Sequence, residues 1–117
     1  MSALNSVPNL NLKMNPFLVE VVHDVDEFKS IVGDGRKRYE LSVRGDGSGI
    51  RFYVVLKVYG VAREGHVAVL EIVRKVDGLS LRGDKSIEEA VRESLKELTS
   101  IAKSLDARPG RVGVFKP

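Results

Sequence analysis

Residues 51–59 read Arg51-Phe52-Tyr53-Val54-Val55-Leu56-Lys57-Val58-Tyr59. The even positions are all large and apolar. The odd positions carry Arg51, Tyr53, Lys57 and Tyr59, with Val55 between them. Successive side chains of a β-strand point to opposite faces of its sheet, so this alternation predicts one face for a core and one bearing cations and phenol rings. Tyrosine rings stack on exposed bases, and arginine and lysine hold phosphates. The chemistry expected is therefore non-covalent recognition of a single-stranded polyanion. Arg44, Arg74 and Lys75 are expected to flank this platform, and the run Arg36-Lys37-Arg38 to hold backbone phosphates. A second reading fits the same residues. Aromatic and β-branched residues favour strands whatever their function, and the following strand puts Val67, Val69, Glu71, Val73 and Lys75 on one side. A face this apolar also suits an interface with a second copy or an adaptor partner, or a cover formed by the N-terminal arm.

Other motifs point to no reaction. Gly45-Asp46-Gly47-Ser48-Gly49 lies between two strands and is followed by Ile50-Arg51. A phosphate cradle needs a helix N-terminus there, so a hairpin turn is expected. Gly83-Asp84-Lys85-Ser86 precedes a helix but lacks the spaced upstream glycine of a Walker loop. Arg-Gly-Asp occurs at Arg44–Asp46 and Arg82–Asp84, both in expected turns. His23 and His66 lack the spacing of a metal site. With no cysteine in the chain, disulfides and thiolate zinc sites are excluded. No catalytic residue, metal or cofactor is expected, and the protein is read as a binder rather than an enzyme.

These residues need elements to position them. Phe17–His23 reads as a strand. Asp24, with Glu27 three residues on, caps a short helix bearing Val25, Phe28, Ile31 and Val32 on one face. Three strands follow, Tyr39–Arg44, Arg51–Tyr59 and His66–Val76, joined by hairpins at 45–49 and 60–65. Ser86 and Glu89 form a capping box for a long helix to about Asp106. Its apolar stripe comprises Ile87, Ala90, Val91, Ser94, Leu95, Leu98, Ala102 and Leu105. Arg108-Pro109-Gly110 is expected to stop it. The order strand, helix, three-strand meander, helix predicts an α+β two-layer domain: a four-stranded antiparallel sheet with both helices on one face. That domain would span 17–107, between a flexible arm at 1–16 and a basic tail at 108–117.

The chain of 117 residues suits one domain, with 43% hydrophobic and 30% charged residues. Its net charge of +3 conceals a strong asymmetry. Residues 1–34 carry −3, 35–85 carry +5, 86–107 carry −2 and 108–117 carry +3. The positive potential is thus expected on the meander and the tail, where it would attract a polyanion. No apolar run approaches the roughly 20 residues of a membrane span, and no secretory leader is present, so a cytoplasmic protein is expected. There is no glutamine, and asparagine occurs only at positions 5, 9, 11 and 15. Depletion of amides beside abundant Arg, Lys and Glu is the composition expected of a thermophile, here read as archaeal.

Two families share parts of this pattern. From Asp24 onward the order of elements, with Tyr39-Glu40-Leu41-Ser42-Val43 before Arg51-Phe52-Tyr53-Val54-Val55, is similar to a double-stranded RNA-binding domain. That family opens its second helix with adjacent lysines, whereas this chain has Lys85-Ser86-Ile87-Glu88-Glu89, and the strand at 17–23 is additional. From about residue 17 the chain resembles the ThermoDBP-related single-stranded DNA-binding proteins of thermophilic archaea. The likeness rests on its composition, the basic meander Arg36–Lys75, the Arg51-Phe52-Tyr53 strand start and the single long closing helix. The resemblance implies sequence-independent binding of single-stranded DNA in a cleft with basic and aromatic or apolar walls; the residues themselves leave RNA equally open.

Overall fold

The structure, a computed structural model, describes residues 18–110. The arm expected at 1–16 and most of the basic tail, 111–117, lie outside the described residues. Among the described residues five strands and two helices are formed: β1 (Val19–Val22), α1 (Val25–Val32), β2 (Lys37–Gly45), β3 (Arg51–Val61), β4 (Val67–Asp77), α2 (Ile87–Ser104) and β5 (Arg108–Pro109). A 3₁₀ turn, Gly78–Ser80, follows β4.

The α+β class holds, but the sheet is mixed rather than four-stranded and antiparallel. Its order is β1-β4-β3-β2-β5. The β2-β3-β4 meander is antiparallel, whereas β1 runs parallel to β4 and β5 parallel to β2. The helices explain this. Parallel strands require a crossover connection. Here α1 carries the chain from β1 past β4 and β3 to β2, and α2 carries it from β4 past β3 and β2 to β5. Each helix therefore closes one edge of the meander with a short strand running in the same direction as the strand beyond the crossover. Nothing in the four residues of β1 or the two of β5 identifies these partners locally.

Both helices contribute to one core against one face of the sheet. Phe28 and Val32 of α1 meet Leu98 and Ala102 of α2 over Val54, Leu56 and Val58 of β3 and Ala68 and Leu70 of β4. Phe28, Val54, Leu56, Val58, Leu70 and Leu98 are fully buried. Each such side chain stabilises the fold by about 1.5–3 kcal/mol relative to exposure. Of the apolar stripe expected on α2, Val91, Leu95, Leu98, Ala102 and Leu105 join this core, with Ile101 added. Gly60 on β3 seats α1: a Cβ there would stand 2.8 Å from Val32 Cγ1.

The caps follow the sequence closely. Asp24 accepts from the N–H of Asp26, and Ser86 and Glu89 form the reciprocal capping box. However, α2 ends at Ser104, before Arg108-Pro109. Its C-cap is Leu105, and Asp106 takes φ 58°, turning the chain back toward the sheet. There the N–H of Gly110 donates to the Tyr39 carbonyl at 2.8 Å. No helix among the described residues is long and apolar enough to cross a membrane.

Candidate functional site

The register assigns each side chain of the meander to a face. Tyr39, Leu41 and Val43 of β2 share the helix side with Val54, Leu56 and Val58. The opposite face carries Arg38, Glu40, Ser42 and Arg44 of β2, Arg51, Tyr53, Val55, Lys57 and Tyr59 of β3, and Val69, Glu71, Val73, Lys75 and Asp77 of β4. Neither helix covers this face. Arg108 of β5 and Val19 and Val21 of β1 extend it at its two edges.

Across the strands the residues form rows. Lys75, Tyr53 and Arg44 lie side by side near the β2–β3 hairpin. Then come Val73, Val55 and Ser42, followed by Glu71, Lys57 and Glu40. The next row reads Val21, Val69, Tyr59, Arg38 and Arg108. Each tyrosine thus has an arginine as its direct cross-strand neighbour on β2. Cross-strand neighbours lie about 5 Å apart, close enough for one nucleotide to touch both.

Most of the cations expected to line the site are brought together. Arg38, Arg44, Arg51, Lys57 and Lys75 share the open face, and Arg36 lies in the turn beside it. Two are not. Arg74 was expected to flank the platform, but it lies opposite Val54 on the helix side. There its guanidinium donates to both carboxylate oxygens of Glu97 on α2, each at 3.1 Å. Lys37 is also on the helix side: it is buried and donates through Nζ to the Gly35 carbonyl at 2.9 Å. The reason is alternation: consecutive residues of a strand cannot share a face, so Arg36-Lys37-Arg38 and Arg74-Lys75 are each split.

Local electrostatics grade the remaining cations. Arg51 is tied down, donating to Asp46 at 3.4 Å and Asp77 at 3.5 Å. Asp46 foremost, then Asp77, raises its already high pKa. Hydrogen bonds from Ser48, assisted by Arg51, hold the Asp46 carboxyl below its ordinary range. Arg36, Arg38, Arg44, Lys57, Lys75 and Arg108 have no ion-pair partner among the described residues. Tyr59 donates through its hydroxyl to Glu40 Oε1 at 3.3 Å. Partial burial, then the charges of Glu40 and Glu71, push its phenol pKa up. No comparable contact ties Tyr53 among the described residues.

Arg108 falls at the start of the expected tail, outside the expected site. It sits beside Arg38, and with Arg36 it lines a recess of about 560 Å³ whose carboxylates are Asp34 and Asp106. No local signal marks Arg108, because its position depends on α2 returning the chain to β2.

The other groups considered in the sequence are structurally occupied. The N–H of Ser86 is bonded to Glu89 Oε1, and Lys85 is paired with Glu93 at 2.7 Å, so the start of α2 does not offer the phosphate seat weighed for residues 83–86. His66 Nε2 lies 2.7 Å from Glu20 Oε1, and His23 Nδ1 lies 3.0 Å from the Glu71 carbonyl oxygen. Among the described residues no three of His, Cys, Asp and Glu gather as metal ligands. Comparison with known proteins finds no matching family, no similar curated protein and no similar solved structure.

Proposed function

We propose that the protein binds single-stranded DNA or RNA, without sequence specificity, on the face of its sheet opposite the two helices. The observation that carries this reading is the repeated pairing of a tyrosine with a cross-strand arginine, Tyr53 with Arg44 and Tyr59 with Arg38, on one face. A base can stack on the ring while the neighbouring guanidinium holds the phosphate. The face carries six cations (Arg38, Arg44, Arg51, Lys57, Lys75, Arg108) against three anions (Glu40, Glu71, Asp77), an excess that draws a polyanion. This reading agrees with the resemblance to ThermoDBP-related proteins, which implies the same ligand.

The test is a titration by fluorescence anisotropy against single- and double-stranded DNA and RNA at two salt concentrations. Single strands are expected to bind at low salt, and more weakly as salt rises, because phosphate neutralisation releases counterions. Absence of binding to every single strand at low salt would remove the reading.

A second reading rests on a different part of the same face. Val19, Val21, Val61 and Val73 are 48, 52, 59 and 45% exposed, forming an apolar margin along β1, β4 and the end of β3. Such a margin fits a second copy or an adaptor partner. Light scattering distinguishes the two: a dimer lost on Val73→Asp, with nucleic-acid binding unchanged, favours an interface there.

A further inference from the structure

We infer that the open face holds a nucleic-acid strand at two separate stations rather than along one continuous track. The inference rests on the binding reading above and names the ligand more closely: a single strand long enough to reach both stations. The first station is Tyr53 with Arg44 and Lys75. The second is Tyr59 with Arg38 and Arg108, opening into the recess that Arg36 also lines. The two tyrosines are six residues apart on one strand, which is about 20 Å.

Between them lies the row Glu71, Lys57, Glu40. Its two carboxylates outnumber its one cation, and both flank it directly across the strands. A phosphate placed there meets like charge on two sides, which is unfavourable at short range in the reduced dielectric of a protein surface. Each end of the face has the reverse balance: Arg44 and Lys75 beside Tyr53, and Arg38 and Arg108 beside Tyr59, have no ion-pair partner among the described residues. The strand is therefore gripped at both ends and spans the acidic row without close contact. Linking two weak contacts through one ligand makes the second intramolecular and raises affinity steeply with length.

The test uses the full chain and oligothymidylates of about three and about twelve nucleotides, one below and one within the usual footprint of about 4–16 nucleotides for a small single-strand binder. Stoichiometry comes from calorimetry and affinity from anisotropy. The short probe is expected to bind twice per chain, and once in Tyr53→Ala or Tyr59→Ala. The long probe is expected to bind once, at least about tenfold tighter than the short one. Arg44→Ala and Arg38→Ala, on exposed positions, reproduce the loss of one short-probe site should a tyrosine variant fail to fold. Glu71→Gln is expected to tighten the long probe more than the short one. One short probe per chain, weakened alike by changes at either station, would establish a continuous track and overturn the inference while leaving the proposed function intact. Failure of both probes to bind overturns the proposed function and this inference with it.

Discussion

Tyr53 and Tyr59 occupy equivalent positions in the ladder but have different surroundings. Tyr59 is hydrogen-bonded to Glu40, while Tyr53 stands between Arg44 and Lys75. Replacing Tyr53 with alanine is expected to weaken single-strand binding by about 1–3 kcal/mol for the base it stacks, measured by anisotropy, with thermal stability nearly unchanged. Arg74→Ala is expected to leave binding untouched. Its pair with Glu97 faces the helices and is solvent-exposed, so the change should cost under about 1 kcal/mol of stability. Burial first, then Glu40 and Glu71, raise the Tyr59 pKa above the ordinary 10, and Glu40→Gln should bring it down, a change followed by alkaline ultraviolet titration. A raised folded pKa means that the stability linked to this proton is fully present below pH 10 and is lost as pH rises through the folded value. Chemical denaturation followed above pH 10 should show that loss, and show less of it in Glu40→Gln. The cross-strand alternation that placed these side chains was legible from the residues alone. Arg74 and Lys37 fall on the other face because each neighbours an open-face cation in sequence, and alternation sends adjacent strand residues to opposite sides.

At the scale of elements, the helices support the site by closing the far side of the sheet. Leu98 of α2 is fully buried among β-strand residues, and Leu98→Ala is expected to cost about 2–5 kcal/mol in denaturant unfolding. Gly60→Val should destabilise by an independent route, because the new side chain meets Val32 and Phe28 of α1, which must shift outward. Ser86→Ala removes one half of the capping box at the cost of about 1 kcal/mol. None of the three substitutions touches the open face, so binding by the folded fraction should be unchanged. The long helix, its cap and the three long strands were readable because each carries its own period over many residues. The edge strands β1 and β5 were not readable in the same way. They are four and two residues long, and their partners lie 48 and 70 positions away along the chain.

For the whole molecule, the modest net charge of +3 matters less than where the charges lie. The basic stretch 35–85 divides into cations on the open face, Arg74 bound to α2, Lys37 folded into the helix side, and Arg36, Arg63, Arg82 and Lys85 in the connections. In the proposed reading the first group is the one that meets the polyanion. Arg38→Ala and Arg44→Ala are each expected to lower the salt dependence of single-strand binding by about one unit of slope, without altering sequence preference. Arg74→Ala should leave the slope as it is. The sequence by itself determined the α+β class, the meander, the two helix caps and the face on which Tyr53, Lys57 and Tyr59 stand. These follow from local periodicity and capping chemistry, which act over a few residues. Only the tertiary structure decided that the sheet is mixed, that Arg108 joins Arg38, that Arg74 belongs to Glu97, and that Glu40 and Glu71 flank Lys57. Those outcomes depend on strand register and helix crossover, which are set by packing between segments far apart in the chain.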